Sequence, residues 1–142
     1  MPGIRHPLMI NGLPVVTVPA EVDVTTAEQL GMVLLDAGRH GHATVVVDMT
    51  RTRFCDSAGL AVLAGAHRRA LAQGGGLRLV LRAGGAFARV LSFTGLDCFI
   101  PGFGTLDEAL TAPPAAVIRP WQPRPAAGRR LSRQPGLPRG MV

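Results

Sequence analysis

The chain has no lysine, no tyrosine, one tryptophan and two cysteines among its 142 residues. Each shortage removes a class of function. Without lysine there is no phosphate-binding loop of the G-x-x-x-x-G-K-[ST] kind, because the lysine is what reaches the terminal phosphates. Two isolated cysteines, Cys55 and Cys98, make neither a disulfide framework nor a zinc site, and read as small buried hydrophobes. With five Phe and one Trp, the core must come from Val, Leu and Ala. No apolar run approaches the ~20 residues of a membrane span. The opening M-P-G-I-R-H-P-L-M-I-N-G lacks the apolar stretch of a signal peptide. A cytoplasmic protein with one folded domain is the expectation.

The charge is equally uneven. The formal net charge is +6, and all fifteen basic residues are Arg. Residues 1–111 hold nine Arg and all nine acids, so that region is neutral. The other six, Arg119, Arg124, Arg129, Arg130, Arg133 and Arg139, lie in the last thirty-one residues with seven of the twelve prolines. The basicity belongs to a tail, so no direct nucleic-acid contact is expected of the domain. Proline-rich, charged, unpatterned sequence buries too little apolar surface to offset its ordering entropy. The expected division is a domain over 1–111 and a mostly disordered tail over 112–142, with Val117, Ile118 and Trp121 as the tail's docking candidates.

The first 111 residues alternate in type. P-L-M-I-N-G-L-P-V-V-T-V predicts two short strands around an Asn-Gly turn. Pro14 and Pro19 place these strands near a sheet edge or at strand ends. Thr25 and Glu28 have the spacing of a capping box, and Ala27, Leu30, Leu34 and Ala37 then form one helical stripe that ends near Gly38–Gly41. A-T-V-V-V-D-M predicts a strand covered on both faces. From Ser57 the stripe Leu60, Leu63, Ala64, His67, Leu71 is helical and stops at Gly74-Gly75-Gly76. L-R-L-V-L alternates as a strand. A-F-A-R-V-L-S-F-T-G predicts a short helix closed by Gly95. C-F-I-P predicts a last strand, and T-L-D-E-A-L a final helical turn or two. The order β-β-α-β-α-β-α-β-α implies an α/β fold: a largely parallel sheet with an antiparallel N-terminal hairpin and about four helices.

Residues 54–60, F-C-D-S-A-G-L, pose the functional question. A nucleophilic serine needs Gly on both sides of its elbow, and Cys55 occupies the first of those positions. It also needs a base. His67 lies ten residues along the same helix, ~15 Å away, on the apolar stripe, and His6, His40 and His42 lie in loops or the N-terminal arm. A metal site built from Asp23, Asp48 and Asp56 has no supporting spacing. Gly74–Gly76 follows a helix and so cannot cradle a phosphate at a helix start. Asp56 and Ser57 are both favoured N-caps, and Asp56 suits the positive end of the helix dipole. Ala58 and Gly59 carry minimal side chains, which leave the Ser57 hydroxyl accessible and let another surface approach the backbone. A phosphate on Ser57 would be welcomed by free N–H groups, repelled by Asp56, and felt by any docked partner.

A-E-V-D-V-T-T-A-E-Q-L, V-V-V-D-M-T-x-x-x-F-C-D-S-A-G-L-A-V-L, G-G-x-L-R-L-V and R-V-L-S-F-T-G-L-D together resemble the STAS domain, and within it the bacterial anti-anti-sigma factors (anti-sigma factor antagonists). The resemblance runs over roughly residues 8–111. It implies a non-enzymatic, cofactor-free binding protein. In that family the unmodified protein binds an anti-sigma factor that is also a serine kinase, freeing a sigma factor. The kinase phosphorylates the serine of the D-S motif and binding is lost, and a serine phosphatase restores it. Carried over, Ser57 is the phosphoacceptor and Asp56 the adjacent acid. Asp23 matches the acid at the end of the second strand near the serine, Gly59 and Leu60 begin the docking helix, and Ala58 joins these residues in the expected partner-binding set. Ala20 stands where the family usually has Gly, Ala58 where Ser or Thr is common, and Cys55 and Cys98 where bulkier apolar residues are usual. The alternatives are a STAS module of another signalling complex, or an adaptor that binds nucleic acid or anionic membrane through its Arg-rich tail. In that tail, R-R-L-S around Ser132 is also a site a basophilic kinase would accept.

Overall fold

Asn11 and Gly12 both take positive φ, 51° and 81°. That is the requirement of the tight hairpin turn whose twist matches its strands. The computed structural model describes residues 3–113; the expected tail from 112 onward, with Val117, Ile118, Trp121 and Ser132, lies almost wholly outside the described residues. Around the turn β1 (Leu8–Ile10) pairs antiparallel with β2 (Leu13–Thr17), Ile10 facing Leu13 and Met9 facing Pro14. Hydrogen-bonded and open pairs alternate along such a ladder. The turn-closing pair Ile10–Leu13 is bonded, so Pro14 falls at an open position. Its missing N–H costs the hairpin nothing. On its other side β2 pairs only from Val15 onward.

The chain then runs β3 (Glu21–Val22), α1 (Val24–Arg39), β4 (Thr44–Asp48), β5 (Phe54–Cys55), α2 (Ser57–Ala72), β6 (Gly76–Val80), α3 (Ala86–Thr94), a 3-10 turn (Leu96–Cys98), β7 (Gly102–Phe103) and α4 (Leu106–Thr111). The main sheet has the order β1-β2-β4-β6-β7, parallel except for the hairpin. Val45 and Val47 of β4 face α1, α2 and α3, while Val46 faces α4. The strand is thus buried on both sides, as its β-branched run predicted. The front core joins Leu30, Leu34, Leu63, Leu77, Leu79, Phe87 and Leu91. Each fully buried leucine there stabilises the fold by about 1.5–3 kcal/mol relative to exposure.

Several expectations are corrected. The capping box is absent from α1: Asp23 is the N-cap, accepting from the Thr26 N–H at 2.9 Å, and Thr25 lies inside the helix. A cap of that pattern closes α4 instead, where Thr105 accepts from the Glu108 N–H and Glu108 reaches back to the Gly104 N–H. C-F-I-P is no strand. Gly95 ends α3 at φ 82°, and the chain winds on through the 3-10 turn with the Ile100 N–H bonded to the Leu96 carbonyl. Pairing with β6 starts only at Gly102. Cys98, in that turn, is exposed. On α2 the buried face is Gly59, Leu63, Ala66 and His67, with Leu71 exposed. Arg78 belongs to no solvent face. It is 5% exposed and its Nη1 donates to the Ala109 carbonyl at 2.8 Å, because α4 lies across that side of the sheet.

Candidate functional site

The site is built by a second sheet of two-residue strands. β3 and β5 are parallel, with Glu21 opposite Phe54 and Val22 opposite Cys55. The Ala20 carbonyl accepts from the N–H groups of both Arg53 and Phe54, and the Asp56 N–H donates to the Val22 carbonyl at 3.1 Å. Buried Thr52 ties the two approaches together by donating its hydroxyl to the Pro19 carbonyl at 2.9 Å. Each strand runs directly into a helix. Two parallel strands in register therefore bring the N-termini of α1 and α2 out side by side. Ala20 does not adopt positive φ, so a glycine is not required at that position.

Both N-termini are capped by an aspartate. Asp23 accepts from the Thr26 N–H and, at 3.0 Å, from the Thr26 hydroxyl; these bonds hold its carboxyl below the usual carboxylate range. Asp56 accepts from the Gly59 N–H at 3.0 Å. A cap of this kind stabilises its helix, and each carboxylate also meets the positive end of a helix dipole. Asp23 follows β3, not the second strand of the chain, which ends at Thr17. Ser57, the first residue of α2, is exposed beside them.

The neighbours of Ser57 divide into two sets. Ala58 and Leu60 are half-buried and pack on the front core. Gly59 is buried, which corrects the expectation that it clears space for a partner. A Cβ at Gly59 would collide with Cys55 Sγ and lie 2.9 Å from Val22 Cγ1. The bare position lets α2 sit against the small sheet. The surface that does face outward includes Phe54 on β5 and Val24 at the start of α1, both exposed. α3 packs against β5, and its Phe93 is 95% exposed. Sequence reasoning missed these three. Phe54, three residues before Ser57, was the available signal, but its exposure depends on the second sheet.

Cys55 and His67 are both withdrawn from the surface on which Ser57 lies. Burial, aided by the Asp56 carboxylate, pushes the Cys55 thiol up to about 12, so it stays protonated. His67 is 1% exposed, in the core and not at its edge. Its Nδ1 accepts the Leu77 N–H at 3.0 Å and its ring meets Phe99 edge-on. Burial lowers its pKa against a hydrogen bond with the Phe99 backbone that raises it. The folded state therefore holds His67 neutral, while the unfolded chain takes up its proton near 6.5. Stability is full above that value and falls as pH drops toward the depressed folded value, by up to about 1.4 kcal/mol per pH unit. Urea titrations between pH 8 and 5 should show this loss, and His67→Asn, which keeps an acceptor for Leu77, should flatten it. An unchanged slope in the variant would assign the loss elsewhere. Asp48, the third acid of the metal hypothesis, accepts from the Thr50 N–H and hydroxyl at the end of β4. Among the described residues no cluster of three His, Cys, Asp or Glu could hold a metal, and no helix is long and apolar enough to cross a membrane.

The STAS domain family model matches residues 8–109. This chain belongs to the STAS domain family. A search of curated proteins finds no match. Among solved structures, an anti-sigma factor antagonist from Mycobacterium paratuberculosis is 33% identical, with TM-score 0.67 over 75% of this chain and 89% of that one. TM1081 from Thermotoga maritima is 21% identical, with TM-score 0.65 over 73% and 89%. The Bacillus cell fate determinant SpoIIAA, in its phosphorylated form, is 24% identical, with TM-score 0.58 over 76% and 96%. The last two share the fold. The mixed sheet and four helices of this STAS domain, with two helix N-termini paired at one end, are the frame on which Ser57 is presented.

Proposed function

We propose that this STAS domain is an anti-sigma factor antagonist, a non-enzymatic cytoplasmic regulator switched at Ser57. Unmodified, it docks on an anti-sigma factor that is also a serine kinase, and the sigma factor is freed. The kinase then transfers the γ-phosphoryl group of ATP to Ser57 Oγ: the O–P bond forms, ADP leaves, and the hydroxyl proton passes to a kinase base. A serine phosphatase hydrolyses the ester and restores docking. The observation that carries this reading is the exposed Ser57 hydroxyl beside two aspartate-capped helix N-termini. The 33% identity to the mycobacterial antagonist supports the partner class.

The physics of the switch follows from the caps. Asp56 already occupies the Gly59 N–H, so a phosphate on Ser57 finds helix-end N–H groups on one side and a fixed carboxylate on the other. The first keeps α2 folded. The second leaves a charge of roughly −2 facing outward, where a partner that had packed on Phe54, Val24 and Phe93 must desolvate it. Asp23, Asp56, Ala58 and Leu60 frame the contact, and Gly59 acts by seating the helix.

The test uses candidate anti-sigma kinases, ATP and mass spectrometry of the full chain. Phosphate is expected on Ser57, and it should abolish co-elution with the kinase. Phosphate found only on other residues, or co-elution that survives stoichiometric modification of Ser57, would sink the switch.

A further inference from the structure

A slot opens between the C-terminal ends of α1 and α2. The two helices have 16 residues each and pack against one another on the front face. At 1.5 Å per residue each is about 24 Å long, so this end is remote from Ser57. The floor of the slot is the cross-strand pair Val45 and Leu77, and its walls are Leu34 of α1 and Ala66 of α2. All four are 5% exposed or less. Gly38 and Ala70, both half-buried, line it further out and are too small to close it. A Cβ added at Gly38 would meet nothing nearer than the Gln73 side chain, at 3.9 Å. The result is an open cavity of about 110 Å³.

The rim is cationic. Arg39 ends α1, Arg69 lies in the last turn of α2, and His42 and Gln73 follow the two helices. No acid is among the described residues that line the slot. Among the described residues, none of these four side chains is engaged in an ion pair or a hydrogen bond. Asp36, three residues before Arg39, turns instead to His40, whose Nδ1 lies 3.6 Å from its Oδ1. A helix dipole alone can favour a basic residue at a C-terminus. Here the chain already answers terminal carbonyls: Ala37 accepts from the His42 N–H at 3.1 Å, and Ala70 from the Gly75 N–H at 2.9 Å. Two uncommitted guanidinium groups therefore stand over an apolar slot. An apolar interior with a few convergent polar groups is the usual form of a small-molecule site.

We propose that the slot binds a short aliphatic carboxylate, its chain on Val45, Leu77, Leu34 and Ala66 and its head between Arg39 and Arg69. An apolar cavity of roughly 150 Å³ holds benzene, so this smaller one, open on one side, takes a chain of about four to six carbons. The planar fork of Arg pairs a carboxylate through two parallel hydrogen bonds. Bare phosphate would meet the cations but leave the apolar floor unfilled, and a neutral alcohol would do the reverse. The inference is independent of any role for Ser57, at the far end of α2, and its failure would leave that reading untouched.

Hexanoate is the probe, titrated into the isotope-labelled full-length protein and followed by amide NMR. Saturable shifts are expected at Leu34, Gly38, Ala66 and Gln73, with a Kd on the order of 1 mM or tighter. Hexan-1-ol and inorganic phosphate should each bind at least about tenfold more weakly. The double variant Arg39→Gln/Arg69→Gln should weaken hexanoate by about the same factor and leave hexan-1-ol unchanged. Gly38→Leu should abolish binding of both, because its side chain enters the slot, while the urea midpoint holds or rises, since leucine is the better helix former. Absence of shifts well above the expected Kd would overturn the proposal, as would unchanged hexanoate affinity in the arginine variant. Hexan-1-ol binding as tightly as hexanoate would leave only apolar filling, and phosphate doing so only a plain anion site; either overturns it. A peptide ending in a leucine carboxylate that bound about a hundredfold tighter than hexanoate would give the slot to a protein C-terminus and equally overturn it.

Discussion

A Ser57→Asp variant is expected to bind its anti-sigma kinase at least about a hundredfold more weakly than the parent chain, roughly 3 kcal/mol, with no loss of fold. Ser57→Ala should bind as tightly as the parent and never be released by ATP. The asymmetry follows from the position of the residue. Ser57 is the first residue of α2, and Asp56, not Ser57, supplies the cap. Removing the hydroxyl therefore takes nothing from the helix. Adding a carboxylate places a second negative charge beside Asp56 on a surface that a partner must dehydrate. Isothermal titration of the purified pair separates the cases. Equal affinity of both variants would place docking on some other surface. An Asp56→Asn change refines the reading, since Asn still caps a helix. If it lets the Ser57→Asp protein rebind in part, the fixed charge beside the acceptor contributes to release.

Gly59→Ala should destabilise the domain by about 1–3 kcal/mol, although alanine is the better helix former by about 1 kcal/mol. The collision decides the sign. The new methyl would strike Cys55 Sγ and crowd Val22, both held in register by the small sheet. Cys55→Ala removes the sulfur. The double variant Gly59→Ala/Cys55→Ala should therefore be more stable than the sum of its parts, with a coupling of about 1 kcal/mol, measurable by urea unfolding of the four proteins. Strict additivity would mean that α2 accommodates the methyl by shifting. The same cycle separates two ways of losing the partner. A Gly59→Ala protein that fails to bind but recovers with Cys55→Ala has lost the seat of α2 and not a contact.

The parts of this molecule that were legible in sequence are those governed by local rules. Asn11-Gly12 specified its own turn, and Ala27, Leu30, Leu34 and Ala37 specified the buried side of α1, because turn chemistry and helical period act within a few residues. The family motifs pointed to Asp23, Asp56 and Ser57, and the structure makes the first two the caps of α1 and α2 with Ser57 exposed at the start of α2. The parts that stayed hidden depend on pairing across the chain. A two-residue strand has no period, so Glu21–Val22 and Phe54–Cys55 gave no signal. Without them Asp23 could not be seen as the cap of α1, and Thr25 with Glu28 competed for the role on spacing alone. Gly59 was legible as a special position, but with the wrong reason: its bareness serves an internal contact that only the small sheet creates. Arg78 alternated like a solvent-facing residue, and α4, far along the chain, put it under cover.

The small sheet also has a kinetic meaning. Its strands come from distant parts of the chain and share four residues between them, too few to form before α1 and α2 have packed. The platform around Ser57 is therefore expected to assemble late, with the last of the tertiary structure. An unfolded or nascent copy carries the same D-S-A-G sequence yet lacks the paired helix ends. A kinase that docks on that platform would mark only native molecules, so every unfolded copy would stay in the unmodified pool.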